Sequence, residues 1–145
     1  MKRWIGFLIA LIFSSAISAG QNVKIESTND LNSTVTRYTG ALKKAQIPVL
    51  KQSKFKQKLP GGFSREGLEI VFPNPFYGWS LGECHRGERK DKPLVARVWT
   101  DNEKKVWLEY PQPEAYMNEF GVIECGNETD MVSRALSNFA DAATE

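Results

Sequence analysis

The chain has 145 residues, 41% of them hydrophobic and 25% charged, with 19 lysines and arginines against 17 acidic residues, two cysteines and one histidine. That length accommodates one domain, and so balanced a composition excludes a disordered polar chain. Lys2 and Arg3 precede an apolar run from Trp4 to Phe13, followed by the small residues Ser14, Ser15, Ala16, Ser18, Ala19 and Gly20. This is the pattern of a secretory signal peptide over residues 1–19, with cleavage expected after Ala19 or Gly20. Its apolar run is about half the roughly 20 residues needed to span a bilayer.

Losing Lys2 and Arg3 leaves residues 20–145 with equal numbers of basic and acidic groups, 17 of each. The excess positive charge therefore belongs to export, and no charge argument for nucleic acid or an anionic membrane survives cleavage. The expectation is a periplasmic or secreted domain over 20–145, with no nucleic-acid partner and no stable membrane anchor. Of the aromatic residues, only Trp4, Phe7 and Phe13 fall in the leader, so the core should be small and rich in rings.

In chain order, Val23 to Ser27 alternates apolar and polar residues at the period of a half-buried strand. Asp30 is placed to cap a helix. Leu31, Val35, Tyr38, Leu42 and Ala45 then fall on one helical face, and Lys43 and Lys44 sit where cations suit a helix C-terminus. Pro48 stops that helix. An extended stretch from Ile47 to Phe55 would put Lys54, Lys56 and Lys58 on one face, a solvated basic row rather than a polyanion site, because no aromatic residue interleaves on that side. Leu59-Pro60-Gly61-Gly62-Phe63 reads as a turn, and Leu68 to Phe72 as a buried strand.

The segment from Pro73 to Pro93 is rich in Gly, Pro and charge. After it, Leu94, Ala96 and Val98 alternate with Val95, Arg97 and Trp99, and Val106, Leu108 and Tyr110 alternate with Trp107 and Glu109, across a polar turn at Asp101 to Lys105. That is a β-hairpin. Pro113 can open a short helix from Glu114 to Phe120, and Thr129 is expected to cap a last helix striped by Val132, Ala135, Leu136, Phe139, Ala140 and Ala143. The order β-α-β-β-β-β-α-α predicts one α+β domain, a mainly antiparallel sheet with helices packed on it.

Cys84 and Cys125 both follow the leader, and an exported chain meets an oxidising compartment, so one disulfide is expected. Closing that loop contributes about 4 kcal/mol in the chain-entropy picture. Asn74 lies between Pro73 and Pro75, where its amide can hold a local turn. The functional alternative is that Asn74, Pro75, Tyr77, Gly78 and Trp79 line a pocket at a strand end, an aromatic wall and one amide orienting a small ligand. Cys84 and His85 are adjacent, so in extended chain they point apart, and a disulfide would consume the thiol that nucleophilic catalysis requires. A redox, haem or metal-linked protein using Cys84 and His85 is the alternative reading; a metal site takes three or four ligands, and with a single histidine in the sequence only Glu83, Glu88 and Asp91 stand near His85. No phosphate loop, dinucleotide fingerprint, nucleophile elbow or zinc-protease motif occurs. No catalytic residue or cofactor is assigned.

The run Phe72-Pro73-Asn74-Pro75-Phe76-Tyr77-Gly78 resembles the signature of the domain of unknown function 302 family. The resemblance extends to the helix from Asp30, the exit Ile47-Pro48-Val49, the paired strands Pro93 to Trp99 and Val106 to Tyr110, and Glu119-Phe120-Gly121. It implies a compact α+β fold of one sheet backed by helices, self-association as a homodimer, and no family-wide activity. The expected role is a non-catalytic accessory module that binds a small ligand or a periplasmic partner.

Overall fold

The computed structural model describes residues 22–75, 93–112 and 126–145, with the side chains of the last segment from residue 130. The first strand, β1 (Val23–Ser27), turns Val23 and Ile25 inward and ends at buried Ser27, whose Oγ shares a 2.7 Å hydrogen bond with Thr34 Oγ1. Asp30 then caps α1 (Leu31–Lys44), its Oδ1 accepting from the Ser33 N–H at 2.7 Å. The predicted stripe is the buried face: Val35, Tyr38 and Leu42 lie in the core, with Leu31 and Ala45 packed at its margin.

α1 ends in a Schellman motif. The Ile47 N–H reaches back to the Leu42 carbonyl at 2.9 Å and the Gln46 N–H to that of Lys43 at 3.0 Å, with Gln46 at φ 60 in the left-handed region. Ile47 and Leu42 meet in the core behind it. The chain is tied to the ladder at Leu50, whose N–H bonds the Val71 carbonyl at 2.7 Å, and forms β2 (Lys51–Lys58). A 3-10 turn at Pro60–Gly62 leads into β3 (Ser64–Phe72), four residues longer at its start than the apolar run Leu68 to Phe72 predicts. β4 (Leu94–Thr100) and β5 (Val106–Tyr110) are the expected hairpin.

The last helix, α2 (Gly126–Thr144), begins three residues before Thr129, which is therefore a helical residue and not the cap. Once a helix is nucleated, each further residue costs little, so it runs past that local capping signal. At its other end, Thr28 and Asn29 from the β1–α1 connection satisfy the terminal carbonyls of Thr144 and Ala143 at 2.8 and 3.1 Å.

The strands form one antiparallel sheet in the order β1-β5-β4-β3-β2. α1 carries the chain across three intervening strands from one edge to the other, and both helices cover the same face. Between sheet and helices lie Tyr38, Leu42, Ile70, Phe72, Ala96, Val98, Leu108, Val132, Leu136 and Ala140, all fully buried. Tyr38 meets Phe72 edge to face at 6.1 Å.

The face turned away from the helices has its own order. Glu26, Trp107, Trp99, Gly67 and Phe55 are successive cross-strand neighbours, and beside them runs the row Lys24, Glu109, Arg97, Glu69, Ser53. Trp99 is only 1% exposed although neither α1 nor α2 packs on this face. Arg65 and Lys24 stack on its ring at 4.6 and 6.0 Å, and Lys24 also lies 4.9 Å from the Trp107 ring. Gly67 is required here, since a Cβ would meet the Val98 carbonyl and come within 2.6 Å of Trp99 Cα. The ring of Trp99 thus faces a cross-strand neighbour that has no side chain to displace it.

Candidate functional site

At the end of β3 the chain leaves the sheet through Pro73, Asn74 and Pro75. The backbone is helical at Pro75, a conformation that the fixed φ of proline fits. Asn74 is 3% exposed and engaged with the surrounding fold.

This exit also forms one wall of a cleft of about 230 Å³. The opposite wall is the Schellman turn of α1, with Ala45, Gln46, Ile47 and Pro48. Three prolines hold the walls rigid, because each fixes its own φ and restricts the residue before it. Gln46, exposed at the rim, brings a neutral amide to this lining. Among the described residues that line it none titrates, so this part of the lining offers apolar contact and neutral hydrogen bonds. A second depression of about 390 Å³ adjoins it across Ile47 and Pro48, bounded by Thr36, Thr39, Gly40, Lys43 and Val49.

Of the residues predicted to line a ligand site, the structure brings Asn74 and Pro75 to the cleft. Tyr77, Gly78 and Trp79 lie outside the described residues, as do Cys84, His85 and Cys125. Sequence reasoning missed the wall from Ala45 to Pro48, which it read only as a helix end. The available signal was Gln46 followed by Ile47 and Pro48, a left-handed cap whose next residue is pinned into the core. Among the described residues, no group of three or more histidine, cysteine or acidic side chains is arranged to hold a metal ion.

Elsewhere the displaced acidities are structural. Asp101 accepts a 2.9 Å hydrogen bond from Trp107 Nε1 and two more from the backbone of Lys105 and Glu103, which hold its carboxyl below the usual range. Burial pushes the Tyr38 phenol up, with Tyr110 as a lesser cause.

Among the described residues, a five-stranded antiparallel sheet with two helices on one face, and a proline-walled cleft where helix and strand exits meet, defines an α+β domain. Its fold is that of the DUF302 proteins. The crystal structure of the uncharacterized conserved protein DUF302 from Bacillus stearothermophilus superposes with a TM-score of 0.63 at 15% sequence identity, covering 84% of this chain and 97% of that one. At that identity the likeness speaks to the fold alone. No family model and no curated protein matches the sequence.

Proposed function

We propose that this chain is an exported, non-catalytic binding module, periplasmic or secreted, whose ligand sits in the cleft between Pro48 and Asn74. What supports this reading is the cleft itself: among the described residues its lining is proline-rich, carries the neutral amide of Gln46 and includes no titratable side chain. Tyr77, Gly78 and Trp79 follow Pro75 directly and complete the aromatic side of the site in this proposal. The ligand is small and largely apolar, with a group that pairs with an amide. The leader over residues 1–19, a Cys84–Cys125 disulfide and a homodimeric state belong to the same reading.

Native mass spectrometry of the protein purified from its own host tests it. The expected spectrum is a chain cleaved after Ala19 or Gly20, two mass units lighter than the reduced form and carrying a small ligand. Ala45→Leu, which fills the cleft, should lose that ligand while keeping the circular dichroism of the parent. Two free thiols with His85-dependent uptake of metal or haem would overturn the proposal in favour of a redox or metal-linked protein. Substrate turnover abolished by Trp79→Ala would overturn it in favour of an enzyme.

A further inference from the structure

β2 is an edge strand, and among the described residues nothing pairs with its outer side. It carries Lys51, Lys54, Lys56 and Lys58 and no acidic residue, and all four lysines are exposed. Register with β3 places Lys54 beside Leu68 and Lys56 beside Glu66, so Lys54, Lys56 and Lys58 occupy the same face as Leu68. The helices pack chiefly on the other four strands and leave that face of β2 open. Just before the strand, Val49 and Leu50 are 37% and 58% exposed, and Val49 also borders the larger depression beneath α1.

An open edge presents a row of backbone donors and acceptors that another extended chain can complete. Charge decides which chain. A second copy of β2 would bring lysines against lysines, so self-pairing is disfavoured. A segment with carboxylates at every second residue would repeat at about 7 Å, the spacing of Lys54, Lys56 and Lys58 along the strand, and would set opposite charges side by side across the new ladder.

We propose that β2 is the docking edge for an extended acidic segment of a partner protein, which joins the sheet as an additional strand beside Lys54, Lys56 and Lys58. Backbone pairing provides the register and the lysine row selects the sign of charge. An apolar residue at one end of the segment would lie against Val49 and Leu50.

The test is a fluorescence-anisotropy titration of the full chain with a labelled octapeptide of alternating valine and glutamate. Three further probes are the same peptide N-methylated at alternate amides, a lysine-for-glutamate analogue, and a heparin oligosaccharide. The parent peptide should bind, and N-methylation should weaken it at least about tenfold because it removes the ladder hydrogen bonds. The triple variant Lys54→Glu, Lys56→Glu, Lys58→Glu should lose the acidic peptide and gain the lysine analogue, a swap that also shows it folded. Equal binding of the parent and N-methylated peptides by the unaltered chain would overturn the proposal, because charge alone would then account for it. Binding of heparin without the peptide, or undiminished peptide binding by the triple variant, would do so as well.

Discussion

Tyr38 shows how a single residue can serve packing at a polar cost. Its ring fills the centre of the core against Phe72, yet its hydroxyl is buried with no hydrogen-bond partner among the described residues. A buried hydroxyl without a partner loses its hydration and recovers nothing. Tyr38→Phe keeps the ring and removes the orphan oxygen, so it should raise stability by about 1 kcal/mol, measured by urea denaturation. A loss of that size would show that a bound water satisfies the hydroxyl. The place of Tyr38 in the core is legible from its spacing with Val35 and Leu42. Its missing partner is not, because that depends on which strands lie opposite. Trp99 makes the same point from the other side of the sheet: strand alternation puts it outward, and Lys24 from β1 and Arg65 from β3 close over its ring.

The elements differ in how far local sequence determines them. β1 and α1 carry both a period and punctuation: alternation up to Ser27, a cap at Asp30, a stripe ending at the Lys43-Lys44 pair. The start of β3 does not. Ser64 to Gly67 is polar and contains a glycine, yet it is a strand because β2 and β4 flank it and complete its backbone pairing. The end of α1 offers a direct check on local strain. Gln46 is exposed and left-handed, a conformation costing a residue with a Cβ about 1–2 kcal/mol. Gln46→Gly should therefore raise stability by about 1 kcal/mol in thermal unfolding, whereas Gln46→Val, β-branched, should lower it. Because Gln46 also lines the cleft, a glycine that stabilises the fold and weakens a bound ligand would separate the two roles.

For the molecule as a whole, stability against pH should form a plateau with two limbs. Asp30 and Asp101 are held below their usual range, chiefly by the hydrogen bonds of Ser33 and Trp107. Their contribution is present above about pH 4, where the unfolded carboxylates ionise, and is lost as pH falls through the lower folded values. Tyr38 and Tyr110 are displaced upward by burial. Above about pH 10 the unfolded chain releases their protons while the folded chain keeps them, so stability falls as pH rises. Melting temperature followed across pH should show both limbs, with Asp101→Asn flattening the acid one and Tyr38→Phe the alkaline one. An unchanged alkaline limb in Tyr38→Phe would place the titrating phenol elsewhere.

Read alone, the amino-acid order suffices for the α+β class, the capped first helix, the hairpin from Leu94 to Tyr110, the lysine row on β2 and the motif around Asn74. Each of these is a matter of spacing between near neighbours, which backbone geometry converts directly into a face, a turn or a cap. The strand order, the burial of Trp99, the need for Gly67 and the far wall of the cleft were decided by tertiary structure. They join residues distant in the chain, Asn74 to Gln46 and Trp99 to Lys24 and Arg65. Such pairs meet only after α1 has crossed the sheet, because hydrophobic burial against the sheet, with no directional code of its own, is what brings these elements together.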